Sequence, residues 1–179
     1  MTNLMENEYY WLERMIQARI SRDDHQAIFH TDKDTWAHIQ GTQARILTNL
    51  VPKGSTVIDV GCGAGFLFEC MPAGITYLGI DLNPYLIEWA KRKYEKFENA
   101  TFKIMDAKDL ANIESSQFDW SVSRAVVGGC GVYAGYDIAQ IIKNETLRVS
   151  VRSVFFGYDP ADQFTLGLDD THPLTLGTL

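Results

Sequence analysis

The sequence predicts a doubly wound α/β domain with a mainly parallel sheet. From Thr56 onward, short apolar patterns typical of strands alternate with patterns of helical period. The first predicted strand runs into glycines at positions 61, 63 and 65, and a new apolar run follows at once. That pattern is typical of a strand that breaks into a tight turn and opens a helix. Strands that alternate with helices in this way form parallel sheets covered on both faces.

Length and charge narrow the class of protein. The 179 residues, 46% of them hydrophobic, suffice for the core of one domain, and none of the apolar runs reaches the roughly 18 residues of a membrane span. The amino terminus carries acidic residues where a signal peptide carries basic ones, so we expect a cytoplasmic protein. The net charge of −7 makes nucleic acid an unlikely partner. Cys62, Cys70 and Cys130 lack the spacing of a metal site, so we predict reduced thiols and no metal.

Two amphipathic helices are predicted before the first strand. Apolar residues follow helical spacing over residues 4–20 and again over 36–50, where Asp34 is a suitable N-cap. The connector between them, residues 21–34, is polar and contains two histidines.

The elements that follow alternate in type. Strands are predicted at 56–60, 75–81, 100–106, 118–123 and within 151–159, and helices near 64–71, at 85–97 and at 137–147. Asn83 and Pro84 are a suitable N-cap and first residue for the helix at 85–97.

The glycine turn suits a ligand that approaches the backbone closely, and two cofactor classes compete. A dinucleotide site has the pattern G-x-G-x-x-G, whose third glycine makes room for a pyrophosphate. Here position 66 is Phe66, and Asp59 lies two residues before the first glycine, where its charge suits a cationic ligand better. A tight turn without any ligand is the alternative interpretation of the glycines alone.

Four stretches resemble the motifs of one enzyme family. VIDVGCGAG, residues 57–65, resembles the first motif of the class I S-adenosylmethionine-dependent methyltransferases, and Asp81, IMDAKDL and FDWSVSRAVV match later motifs in the right order. The resemblance covers residues 51–156. It implies a Rossmann-like sheet in the order 3-2-1-4-5, a helical lid at residues 1–50 and a core at residues 51–157 that binds S-adenosyl-L-methionine.

The resemblance also implies which residues contact the cofactor. Asp81 is expected to accept hydrogen bonds from the ribose hydroxyls, Asp106 to meet the adenine amine, and the Ala107 amide to face a ring nitrogen. The residues at the end of the fourth motif are expected to border the methyl group. The full predicted set is Asp59, Gly61, Cys62, Gly63, Gly65, Asp81, Leu82, Asp106, Ala107, Ser123 and Arg124. Two members have structural alternatives, Asp106 as a helix cap and Cys62 as a small turn residue.

The methyl acceptor is expected to bind in the lid. His25 and His30 are candidate general bases, which a hydroxyl acceptor or a protonated amine requires. The candidate walls of an acceptor pocket are aromatic: Tyr9, Tyr10, Trp11 and Trp36. Such histidines also occur on surfaces, and aromatic residues at helical spacing also pack in cores, so both interpretations remain open.

Absent motifs favour a small-molecule acceptor. The Asn-Pro-Pro-Tyr tetrapeptide, with which amino-methyltransferases of nucleic acids hold a flipped base, is replaced by SRAVVGG at residues 123–129. The doubled glutamates of protein arginine methyltransferases are absent too. An RNA or protein methyltransferase is the alternative.

The carboxyl end departs from the family pattern. Only the threonine-rich residues 158–179 follow the fifth strand, so we expect the usual C-terminal hairpin to be missing and the tail to be irregular or an edge strand. Phe164, Leu166 and Leu168, at period two, would permit one short strand. An unpaired fifth strand would favour a homodimer or a protein partner at that edge. A cofactor-binding but inactive subunit or scaffold that needs a partner is therefore the rival function.

Overall fold

The architecture comes from a computed structural model that describes residues 12–13, 16–17, 32–126, 136–156, 164–168 and 172–176. Residues 12–13 and 16–17 are helical, and the rest of the predicted first helix and residues 21–31 of the connector lie outside the described residues. Helix α1 (Lys33–Leu50) precedes the sheet, as predicted. No helix within the described ranges combines the length and the apolar content needed to cross a bilayer.

Five parallel strands form the central sheet. Their order is β3-β2-β1-β4-β5, which confirms the predicted topology. The strands are β1 (Thr56–Val60), β2 (Thr76–Asp81), β3 (Ala100–Ile104), β4 (Phe118–Arg124) and β5 (Ser150–Phe156). In the register of the central pair, Asp59 lies opposite Gly79 and Val60 opposite Ile80.

Helices pack on both faces of this sheet. Since consecutive strand residues point to opposite faces, β1 contributes to two cores. One core lies under α1 and α2 (Pro84–Lys93) and includes Leu47, Val57, Tyr77, Ile87, Phe102 and Trp120. The other lies under α3 (Tyr136–Arg148) and includes Ile58, Val60, Ile80, Phe118 and Ile142.

The helix caps agree with the sequence at α2 and differ from it at α1. Asn83 caps α2 as predicted, since its Oδ1 accepts hydrogen bonds from the amides of Tyr85 (2.9 Å) and Leu86 (3.2 Å). The prediction of Asp34 as the α1 cap is wrong. Asp32 is the N-cap, and its carboxylate accepts bonds from the amides of Asp34 (3.1 Å) and Thr35 (2.9 Å). Asp34 lies in the first turn, where its negative charge interacts favourably with the positive end of the helix dipole.

The helix after the glycine turn is shorter than predicted. It is a 3₁₀ helix over Phe66–Cys70, because Gly65 has a left-handed backbone (φ 79°) and a right-handed helix can begin only after it. Helix α2 likewise ends at Lys93 and not at position 97.

The carboxyl-terminal segment corrects one prediction. Strands β6 (Phe164–Leu168) and β7 (His172–Leu176) pair in antiparallel fashion, so a C-terminal hairpin is present. Leu166 lies opposite Leu174, and Gly167 opposite Pro173. In the sequence, Pro173 argues against a second strand, because proline has no amide hydrogen to donate to a neighbouring strand. The period-two strand at Phe164–Leu168 is confirmed, and association through the β5 edge stays a prediction.

Candidate functional site

The candidate site lies where the chain changes direction across the sheet. From β1 the strand order runs to β2 on one side and to β4 on the other. The loops that leave β1 and β4 therefore diverge, and a crevice forms at the carboxyl ends of these strands, where ligands of doubly wound sheets bind. The predicted glycine turn leaves β1 at this point.

The glycine turn is fixed by backbone hydrogen bonds to its own sheet. The amides of Gly61 and Cys62 both donate to the Ile80 carbonyl, at 2.8 and 2.9 Å. The amide of Gly65 closes the turn on the Cys62 carbonyl at 2.9 Å. Glycines 61, 63 and 65 all have positive φ (75°, 54° and 79°), a conformation that other residues adopt only at a cost. The turn is therefore held in shape by hydrogen bonds of the protein's own backbone.

The three glycines have different surroundings. A Cβ atom on Gly61 would lie 2.1 Å from Cγ2 of Val126, and one on Gly65 would lie 2.8 Å from the rings of Tyr94 and Phe102. On Gly63 the nearest side-chain atom would be 3.9 Å away. Packing thus excludes side chains at Gly61 and Gly65. Gly63 is the member of the turn whose backbone remains open to a ligand.

Asp81, at the end of β2, is tied directly to this turn. Its Oδ2 accepts a hydrogen bond from the Gly63 amide at 2.9 Å, and its Oδ1 accepts one from the Asn83 amide at 2.8 Å. Burial raises the pKa of the Asp81 carboxyl, whereas these amide bonds lower it. A carboxylate has about four lone-pair sites, so Asp81 retains acceptor capacity for ligand hydroxyls. The next residue, Leu82, is half exposed beside it.

The end of β3 lies next to Asp81. The amide of Met105 donates to the Asp81 carbonyl at 3.0 Å, which brings Asp106 and Ala107 to the same edge. Asp106 is partly exposed, and its Oδ1 accepts a bond from the Lys108 amide at 2.9 Å. Asp106 therefore stabilises a turn and not the helix that the structural alternative expected, and its adenine contact stays a prediction.

Asp59 lies inside the protein and not on the crevice wall. It is 1% exposed, and the Tyr77 hydroxyl donates a hydrogen bond to its Oδ2. Its Oδ1 has no hydrogen-bond partner among the described residues. Burial raises the pKa of Asp59 to about 7, although the bond from Tyr77 and the charge of Arg124 lower it. Cys62 is buried close to this carboxylate, and burial raises the pKa of its thiol, so an inert turn residue fits better than a nucleophile.

The end of β4 supplies the other wall. Arg124 extends toward α1, where its Nη1 donates to Oε1 of Gln43 at 3.2 Å and its guanidinium lies 5.0 Å from the Trp36 ring centre. Ser123, on the opposite face, is buried, and its hydroxyl has no hydrogen-bond partner in the described part of the chain. Ala125 follows with a left-handed backbone (φ 58°), a strained geometry for a residue with a side chain.

A comparison with known protein families identifies the family of this chain. The model of a family described as a methyltransferase domain matches residues 52–155, more than half of the chain. The chain belongs to this family. The matched region contains the glycine turn, Asp81, Asp106 and the end of β4.

Individual relatives of this methyltransferase domain are distant. The ubiquinone biosynthesis O-methyltransferase of Thiobacillus denitrificans is 37% identical over 68 residues, which is 37% of this chain and 29% of that enzyme. The match therefore spans less than a third of the curated relative. Among solved structures, the PH0226 protein of Pyrococcus horikoshii OT3 is similar with a TM-score of 0.60 and 19% identity, over 74% of this chain and 58% of that one.

A second solved structure shows the same fold. In the complex of the Haloferax volcanii Trm112 methyltransferase activator with a putative methyltransferase, the similar chain has a TM-score of 0.59 and 21% identity, over 80% of this chain and 59% of its own. At such identities the likeness shows the fold alone.

S-adenosyl-L-methionine is the cofactor of this class of methyltransferase, and the site fits it. Gly63 leaves the backbone open, and Asp81 is held beside it with spare acceptor capacity. Asp81 and Asp106 lie at or near the ends of β2 and β3, and their carboxylates suit a cationic cofactor.

The predicted acceptor residues divide into two groups. His25, His30, Tyr9, Tyr10 and Trp11 lie outside the described residues, so their roles stay predictions. Trp36 is 5% exposed and packs edge-on against Phe66, with ring centres 5.7 Å apart, so its observed role is packing.

Sequence reasoning missed three residues of the site. Tyr77 and Gln43 are buried polar partners, and Val126 fills the space beside Gly61. Nothing in a single sequence distinguishes a core tyrosine that bonds an acid from one that only packs. Gln43 carried a weak signal, since it lies on the apolar side of α1 four residues before the buried Leu47.

Proposed function

We propose that the chain binds S-adenosyl-L-methionine across the carboxyl ends of β1, β2 and β3 and transfers its methyl group to a small-molecule acceptor. The observation that carries the proposal is the placement of Asp81. The Gly63 and Asn83 amides hold its carboxylate at the end of β2, beside the open backbone of the glycine turn. That geometry suits a ribose whose two hydroxyls donate to the carboxylate.

A hydroxyl oxygen is the favoured acceptor atom. The support is the similarity of 68 residues of this chain to an enzyme named as a ubiquinone biosynthesis O-methyltransferase. When bound, the cofactor would supply an electrophilic methyl group to the acceptor oxygen and would keep the electron pair of the broken carbon–sulfur bond, and a base of the protein would take the hydroxyl proton. His25 and His30 are the proposed bases.

The net charge supports a small acceptor. At −7 the chain lacks the overall positive charge with which proteins hold a phosphate backbone, so RNA is the less favoured substrate. The protein's main task in such a transfer is to align acceptor and methyl group and to exclude water. We propose that the region 1–50 performs this task as a lid.

Binding is tested by calorimetry with S-adenosyl-L-methionine and with NAD⁺. We expect binding of the first and none of the second, and preference for NAD⁺ would contradict the cofactor assignment. Turnover is tested with cofactor that carries a deuterated methyl group, a cell metabolite extract and mass spectrometry. Label in a small molecule supports the proposal, and label in added RNA or protein would instead indicate an RNA or protein methyltransferase. Binding without any transfer favours a subunit that needs a partner.

A further inference from the structure

Helix α1 is attached to both sides of the crevice between β1 and β4. On the β4 side, the Arg124 guanidinium lies over the Trp36 ring at 5.0 Å and donates to the side chain of Gln43 at 3.2 Å. Gln43 is 2% exposed, so this bond satisfies a polar side chain that is buried between helix and sheet. The fork of the guanidinium serves both contacts at once, which a lysine ammonium would not do equally.

On the other side, α1 holds the 3₁₀ helix that follows the glycine turn. The Gln40 side chain donates to Oε2 of Glu69 at 3.2 Å, and the Cys70 thiol contacts the Gln40 carbonyl at 3.6 Å. Trp36 packs against Phe66, the first residue of that 3₁₀ helix. One helix therefore joins the end of β4 to the segment that leaves the glycine turn.

Charge places Arg124 at the centre of this arrangement. Burial lowers the pKa of the Arg124 guanidinium, the charge of the buried Asp59 on β1 acts to raise it, and the guanidinium in turn acts to lower the pKa of Asp59. Removal of the Arg124 side chain would leave Gln43 without this hydrogen bond and Asp59 without the positive charge of Arg124. Arg124 therefore contacts α1 through Gln43 and Trp36 and also interacts with the Asp59 carboxylate beneath the glycine turn.

We propose that Arg124 is a positioning residue that couples the docking of α1 to the binding of the cofactor. The inference rests on the proposed function, since it requires S-adenosyl-L-methionine to bind in this crevice. It assigns Arg124 a role through Gln43 and Trp36 and not a direct contact with the cofactor. By reciprocity, bound cofactor should favour the docking of α1 by the same factor by which a docked α1 strengthens the binding of the cofactor.

The test uses the full chain, calorimetry and hydrogen exchange measured by mass spectrometry, with and without S-adenosyl-L-methionine. In the wild type, the cofactor is expected to slow exchange over residues 33–50. Arg124→Gln and Gln43→Leu should each weaken cofactor binding by about five- to 150-fold and abolish that slowing. The double variant should bind no more weakly than the worse single variant, because both changes break one link. Gln140→Leu is the control, because Gln140 is exposed on α3 and bonds Asn144 of its own helix.

Each outcome decides between roles. Unchanged affinity in Gln43→Leu, with a loss only in Arg124→Gln, would mean that Arg124 contacts the cofactor directly and would overturn the coupling. Wild-type affinity in both variants would overturn it as well. If Arg124→Gln does not fold, Arg124→Lys keeps the charge near Asp59 and should still lose the slowing over α1. A wild-type chain that binds no cofactor would refute the proposed function, and the coupling with it.

Discussion

The hydroxyl group of Tyr77 on β2 donates a hydrogen bond to the buried carboxylate of Asp59 on the neighbouring strand β1. The bond is diagonal, because Asp59 lies opposite Gly79 in the register and Tyr77 lies opposite Val57. Burial also raises the pKa of the Tyr77 hydroxyl far above its ordinary value, so tyrosine remains the donor. The pair leaves one carboxylate oxygen without a partner among the described residues, and an ionised Asp59 is therefore costly.

The pH dependence of stability follows from this cost. Because the folded pKa of Asp59 is raised to about 7, its contribution is fully present below the unfolded pKa of about 4 and is lost as the pH rises toward 7. In urea unfolding, wild type should lose on the order of 2 to 3 kcal/mol relative to Asp59→Asn between pH 5 and pH 8. Parallel stability profiles of the two proteins would show that Asp59 does not titrate in this window.

A comparison of two glycines separates backbone strain from steric overlap. Gly54 and Gly61 both have positive φ, but a Cβ on Gly54 meets nothing within 4 Å, whereas one on Gly61 overlaps Val126. Gly54→Ala should cost about 1 to 2 kcal/mol of unfolding free energy from strain alone. Gly61→Ala should cost about 1 to 3 kcal/mol more, from overpacking. Val126→Ala in the Gly61→Ala background should recover part of that excess, and equal losses at the two glycines would contradict this account.

Two buried serines of β4, Ser121 and Ser123, differ in their hydrogen bonding. The Ser121 hydroxyl lies 2.6 Å from that of Ser153 and accepts a bond from Ser150 at 2.8 Å, whereas the buried Ser123 hydroxyl has no partner in the described structure. Ser121→Ala should therefore destabilise the fold by about 1 to 3 kcal/mol, because it removes two buried hydrogen bonds and leaves Ser150 and Ser153 with only their longer contacts of 3.2 Å. Ser123→Ala should be neutral or slightly stabilising. Thermal unfolding that ranks the two in the reverse order would rule out this explanation.

Asp81 is the most direct test of the cofactor site. Asp81→Ala removes the acceptor proposed for two ribose hydroxyls and releases the Gly63 amide. S-adenosyl-L-methionine binding measured by calorimetry should weaken by about 1 to 3 kcal/mol. The control is Asp137→Ala, an exposed acidic residue in the first turn of α3. An equal effect of both changes would indicate a general effect of lost charge and not a ribose contact.

Period and spacing were enough to predict a parallel sheet covered by helices. The strand order came from the resemblance of four motifs to a known family, and the spacing placed Asp81 at the correct strand end. The hairpin was missed because Pro173 and a polar composition obscured two short strands. The contacts of Arg124 with Gln43 and of Asp59 with Tyr77 join residues 81 and 18 positions apart, and no local pattern reports such distant pairs.

The hydrogen bonds from the Gly63 and Asn83 amides hold the Asp81 carboxylate through the protein's own backbone. The loss of rotamer freedom at this side chain is consequently part of the free energy of folding and not of association. The end of the crevice proposed for the ribose is thus preorganised, so we expect nucleoside binding to leave the backbone of 61–65 and 81–83 in place. Any induced fit is then expected at the opposite end, near α1 and the position proposed for the methyl group.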